Sequence, residues 1–122
     1  MLGRLVLWAA CSALAFFTLP GCGSSNSSPT APTPSADVTV SIEGQRGNQS
    51  YAPNPITIRV GQTLAWHNVD SAPHTATGDT VGFNTGVLSA GATSSPTTMA
   101  TAGTLTYHCS IHPGMIGTII VQ

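Results

Sequence analysis

Cys109, His112 and Met115 follow one another at three-residue intervals in Cys-Ser-Ile-His-Pro-Gly-Met, and His74 lies upstream in Ser-Ala-Pro-His-Thr. One thiolate, two imidazoles and a thioether form the donor set of copper sites that pass electrons. Soft sulfur suits Cu(I), imidazole suits both oxidation states, and a fixed low-symmetry geometry lets the metal change charge with little rearrangement. The four residues therefore point to a one-electron carrier. Zinc also accepts Cys and His but gains little from a thioether, so Met115 argues for copper. Taken singly, each residue has an ordinary reading: His74 as a loop residue, Cys109 as a small buried hydrophobe, Met115 as a gap filler in a core. Their order along the chain, with the Cys closing a strand-like run, carries the case.

The elements that must position these residues read as strands. Val38, Val40 and Ile42 alternate with polar residues, as do Ile56, Ile58 and Val60. Gly61-Gln62 reads as a tight turn into Leu64, Trp66 and Asn68. A weaker strand is expected over Ser94 to Met99, another from Leu105 to Cys109, and a last one from Gly117 to Val121. Tyr51-Ala-Pro-Asn-Pro reads as a loop, and Gly78 to Leu88 as an irregular connection. Short strands punctuated by Gly and Pro predict an all-β sandwich of about seven or eight strands.

Strand parity sorts the four histidines, because alternate side chains face opposite sides of a sheet. Leu105 and Tyr107 share parity with Cys109, so an inward Leu and Tyr bring the thiol inward and turn His108 out. By the same rule Leu64 and Trp66 face in and His67 faces out. His74 and His112 lie at or beyond strand ends and escape the rule.

The chain has 122 residues, room for one small domain. Met1-Leu-Gly-Arg4 and the apolar stretch Leu5 to Leu19 read as a signal peptide, too short for a comfortable membrane span. The stretch ends in Leu19-Pro20-Gly21-Cys22, which resembles a bacterial lipoprotein box with Cys22 lipidated as the mature N-terminus. Residues 1–21 are then the signal peptide, and residues 22–36, rich in Ser, Pro and Thr with no large apolar side chain, a disordered tether. Residues 37–122 form the domain. Cys109 is its sole thiol, so no disulfide can form within it, and a metal bond would protect the thiol outside the cytoplasm. Beyond Cys22, Asp37, Glu43, Asp70 and Asp79 stand against Arg46 and Arg59, a net charge of −2, and lysine is absent. Such a surface cannot neutralise a run of phosphates, which excludes nucleic-acid binding.

At this point the domain resembles a cupredoxin of the plastocyanin/amicyanin type. Tyr51-x-Pro-x-x-Ile56, Val60-Gly61-x-Thr-x-x-Trp66-x-Asn68-x-Asp70, Pro73-His74-Thr, Gly103-x-x-x-Tyr107-x-Cys109 and His112-Pro-Gly-Met115-x-Gly117 fall in family order. The short His-x2-Met spacing is most similar to amicyanin. The resemblance implies a Greek-key β-sandwich with one type 1 copper per chain, held equatorially by His74, Cys109 and His112 and axially by Met115. It also implies that the edge of His112 is the electron port, with Pro73, Phe83, Ile111, Pro113 and Gly114 as an apolar rim. Thr75 departs from the pattern: several members have Asn there, tying two ligand loops together.

These readings describe a monomeric, non-enzymatic carrier, exported and lipid-anchored to the membrane, facing the periplasm or cell exterior. Its partners are redox proteins such as a cytochrome, a dehydrogenase or an oxidase. The alternative is a periplasmic copper chaperone or store, although such sites are typically open and rich in Met. A copper enzyme would need a further centre built from more histidines than His67 and His108 supply.

Overall fold

The computed structural model describes residues 35–122 except residue 81. The expected signal peptide, Cys22 and nearly all of the tether lie outside the described residues. Eight strands follow in order: β1 (Val38–Ile42), β2 (Tyr51–Ala52), β3 (Ile56–Ile58), β4 (Thr63–Asn68), β5 (Thr77–Gly78), β6 (Thr97–Thr98), β7 (Gly103–His108) and β8 (Ile116–Val121). They form two four-stranded sheets, ordered β2-β1-β4-β6 and β3-β8-β7-β5. This is the all-β sandwich expected from the alternating pattern, with the eight strands in two sheets.

Each sheet combines long central strands with short edges. β1 runs parallel to β4, with Val40 opposite Trp66, and β7 runs antiparallel to β8, with Tyr107 opposite Gly117. The edges β2, β5 and β6 have two residues each, which leaves little unpaired backbone to recruit another chain. The inward residues of the four central strands meet between the sheets. Val40, Ile42, Leu64, Trp66, Tyr107, Ile119 and Val121 are all buried. Each such side chain contributes roughly 1.5–3 kcal/mol on leaving water. Trp66 stacks on Phe83 at 5.1 Å, and Tyr107 meets Tyr51 edge-on at 4.7 Å. Gly117 has a specific role here: a Cβ on it would overlap the Tyr107 ring, so only glycine lets Tyr107 lie across β8.

The start of β1 is tied to β4 by one carboxylate. Asp37 Oδ2 accepts from the Thr63 N–H and the Thr63 hydroxyl, both at 2.7 Å. Those bonds, the backbone one first, hold the Asp37 carboxyl below its usual range.

Three sequence expectations change in detail. Tyr51-Ala52 is not loop but the edge strand β2, with Tyr51 opposite Ile42; Pro53, which has no N–H, stops the pairing. The strand expected over Ser94 to Met99 shrinks to Thr97–Thr98, directly after Pro96. The segment expected to be irregular, Gly78 to Leu88, begins within β5 and holds partners of isolated bridges, Thr77 with Asn84 and His74 with Leu88.

Candidate metal centre

Beyond β4 the chain is pinned before it reaches His74. The Asn68 side-chain amide donates to the Ala72 carbonyl at 2.8 Å and to the Leu88 carbonyl at 2.9 Å. His74 and Leu88 then exchange both backbone bonds, at 3.1 and 2.8 Å. The imidazole that results is fully buried. Cys109 follows β7 directly, and the alternation that buries Tyr107 also buries its thiol. The turn to β8 closes on itself: Met115 N–H donates to the His112 carbonyl at 2.9 Å, and Cys109 N–H donates to the Met115 carbonyl at 3.1 Å.

These segments bring His74, Cys109 and His112 together. Cys109 Sγ lies 3.9 Å from Nδ1 of each histidine, and the two Nδ1 atoms are 3.1 Å apart. The point equidistant from the three atoms is about 2.1 Å from each, close to the roughly 2.0–2.3 Å that nitrogen and thiolate ligands keep from a first-row cation. Two nitrogens and a sulfur arranged as a triangle also match the trigonal donor set of blue-copper sites. Met115 is buried in the same hydrophobic core as Cys109, whose N–H its backbone carbonyl accepts. The cluster is consistent with a type 1 copper site.

Electrostatics favour a thiolate. Burial pushes the Cys109 thiol up, but hydrogen-bond donors around the sulfur, led by the Thr75 N–H and including the backbone amides of His112 and Ile111, outweigh it and bring it from 9.0 to about 6. Thiolate is the form that binds metal. Thr75 contributes at every polar atom. Its N–H donates to Cys109 Sγ at 3.3 Å, its hydroxyl oxygen accepts the Ser110 N–H at 2.8 Å, and its carbonyl accepts the Tyr51 hydroxyl at 2.7 Å. The hydroxyl therefore ties the His74 segment to the residue after Cys109, a link of the kind expected of Asn at this position.

The other histidines stay outside the cluster, as parity predicts. His67 Nδ1 is 2.8 Å from the Thr93 hydroxyl, and His108 pairs with Asp79. Phe83 corrects the expected rim. It stacks on Trp66 and lines a hollow with Thr97, Met99 and Leu105, towards the start of β7 rather than its Cys109 end. The depression beside His112 is lined by the expected Ile111, Pro113 and Gly114, joined by Gln45, Gly47 and Met115. Sequence reasoning missed the partner of His74: Asp70 Oδ2 lies 2.8 Å from its Nε2. That contact first, then the Ser71 N–H, holds the Asp70 carboxyl below its usual range. Its sole sequence signal is an acid four residues before the histidine.

Fold and donor set together describe a small β-sandwich with a His-Cys-His cluster at one end of its strands, and comparison with known proteins shows its family. The profile of the cupredoxin-like domain matches residues 5–121, and the chain belongs to that family. Plastocyanin of Scenedesmus fuscus is 34% identical over 98 residues, covering 70% of this chain and 100% of that protein. Amicyanin of Paracoccus denitrificans is 33% identical over 81 residues, covering 59% of this chain and 58% of amicyanin, a little over half its length. Among solved structures, a purple cupredoxin from Nitrosopumilus maritimus superposes with a TM-score of 0.63 at 29% identity, over 70% of this chain and 100% of that one.

Proposed function

We propose that this protein is a single-electron carrier with one type 1 copper held by His74, Cys109, His112 and Met115. The observation that carries the reading is the triangle of Sγ and two Nδ1 atoms, sized for a cation and built on hydrogen-bonded segments. A copper ion held there supplies a Cu(II)/Cu(I) couple. The chain supplies the rest. The Thr75 N–H and the buried surroundings fix the sulfur, the Asn68 and Leu88 bonds fix His74, and Met115 would offer a soft thioether donor from the loop that carries His112.

Rigidity favours a carrier over a chaperone or store, because a site that must release its cargo needs ligands that can move. Here His74 and Cys109 are fully buried, and the second methionine of the described residues, Met99, lies at the hollow beside Leu105. Half-buried His112 borders the outer depression, so its edge is the proposed electron port to redox partners outside the cytoplasm. With a net charge of −2 beyond Cys22, docking is weak, transient and only mildly salt-sensitive. Cys22 is the proposed lipid attachment point, holding a monomeric domain at the membrane surface on its Ser/Pro/Thr tether.

Copper-loaded protein is expected to be blue with a narrow copper hyperfine splitting and a reversible one-electron wave. Cys109→Ser should remove the colour entirely. A colourless Cu(II) adduct of the parent, or a blue Cys109→Ser variant, would refute the assignment.

A further inference from the structure

His74 turns opposite edges of its ring to different neighbours. Nδ1 faces Cys109 Sγ at 3.9 Å and His112 Nδ1 at 3.1 Å, while Nε2 lies 2.8 Å from Asp70 Oδ2. A neutral imidazole carries one N–H, and the nitrogen that keeps it cannot bind a metal. An ionised carboxylate only accepts, so Asp70 draws that proton to Nε2 and leaves the lone pair on Nδ1, facing the triangle.

The carboxylate and its backbone are themselves anchored by hydrogen bonds. The Ser71 N–H donates to Asp70 Oδ1 at 2.8 Å, and the Asp70 N–H donates to Asn68 Oδ1 at 3.0 Å. From the other side the β1–β2 connection closes over it at Gly44. A Cβ on Gly44 would stand 3.0 Å from Asp70 Oδ2, and its φ of +95° is itself a glycine conformation. Among the described residues Asp70 is the acid that touches the triangle.

We propose that Asp70 is a positioning residue that sets both the ring orientation of His74 and the charge balance of the centre, biasing it towards Cu(II). The inference rests on the copper reading above and deepens it. A fixed negative charge one imidazole away stabilises the dication more than the monocation. The Asp70 side chain is 31% exposed, so water screens part of this effect. Carboxylates behind a ligating histidine typically carry roughly 10–100-fold in metal affinity, and the exposure puts this one at the lower end.

Asp70→Asn separates charge from orientation, because the amide oxygen can still accept from Nε2. Copper-loaded Asp70→Asn is expected to stay blue while its Cu(II) affinity falls about tenfold relative to Cu(I), which raises the reduction potential by about 59 mV for a one-electron couple. Asp70→Ala, which loses the acceptor as well, should move the potential at least as far and broaden the copper hyperfine pattern. An Asp70→Asn potential equal to the parent's overturns the proposal, as does a fall. If the parent itself fails to turn blue, the copper reading has failed, and zinc affinity by chelator competition then tests Asp70 alone. A tenfold loss in Asp70→Asn supports its role, and an unchanged affinity overturns it. Thermal unfolding of both metal-free variants near the parent's temperature shows that neither result comes from a damaged fold.

Discussion

The two histidines of the candidate site are supported in different ways. His74 is enclosed: its backbone bridges to Leu88, its Nε2 meets Asp70, and its ring is fully buried. His112 lies half-buried on a turn held chiefly by its own backbone, between exposed Ile111 and Pro113. On the proposed reading the contrast would divide the work of an electron-transfer centre: one arm would fix geometry and charge, and the other would bring a ligand edge to the surface. A site buried on both arms would be rigid but isolated. A site exposed on both would exchange its metal.

Three changes sharpen or break that contrast, beginning with the enclosed arm. Thr75→Val keeps the shape but deprives the Ser110 N–H of its acceptor, which costs about 1–2 kcal/mol for a partly buried group. Chemical denaturation should show that loss, and the copper hyperfine pattern should broaden as the His74 segment loosens from Cys109. An unaltered pattern would mean that the backbone bond to Sγ suffices. On the exposed arm, Met115→Gln is expected to leave copper bound and shift the Cu(II)/Cu(I) affinity ratio by about tenfold, lowering the potential by roughly 59 mV. An unchanged potential removes Met115 from the axial role. The smallest effect lies away from both arms, at Asp37. Its folded carboxyl titrates below the unfolded value, so it stabilises the fold above about pH 4 and loses that contribution as pH falls through the lowered value. Asp37→Asn should therefore flatten acid unfolding slightly without moving the copper spectrum.

Much of the centre was legible in the chain because its signals are local. Cys109, His112 and Met115 occupy one short turn, and the parity of Leu105, Tyr107 and Cys109 follows from strand geometry alone. The same parity placed His67 and His108 outside. Phe83 was misplaced because it lies in a stretch of weak periodicity, where position depends on what it packs against, here Trp66. Tyr51 was read as loop because two prolines follow closely, yet two residues of pairing with β1 suffice to bury it against Tyr107.

Residue type and spacing by themselves determined the alternating strands, the inward thiol and the donors a copper ion would find. Only the folded chain decided how far apart those donors stand, which hydroxyl ties Thr75 to Ser110, and that Asp70 lies behind His74 beneath a side-chain-free Gly44. The physical reason is range. Periodicity and ligand spacing act within a few residues, whereas the partners of a ring nitrogen or a hydroxyl come from segments that meet only when the two sheets close.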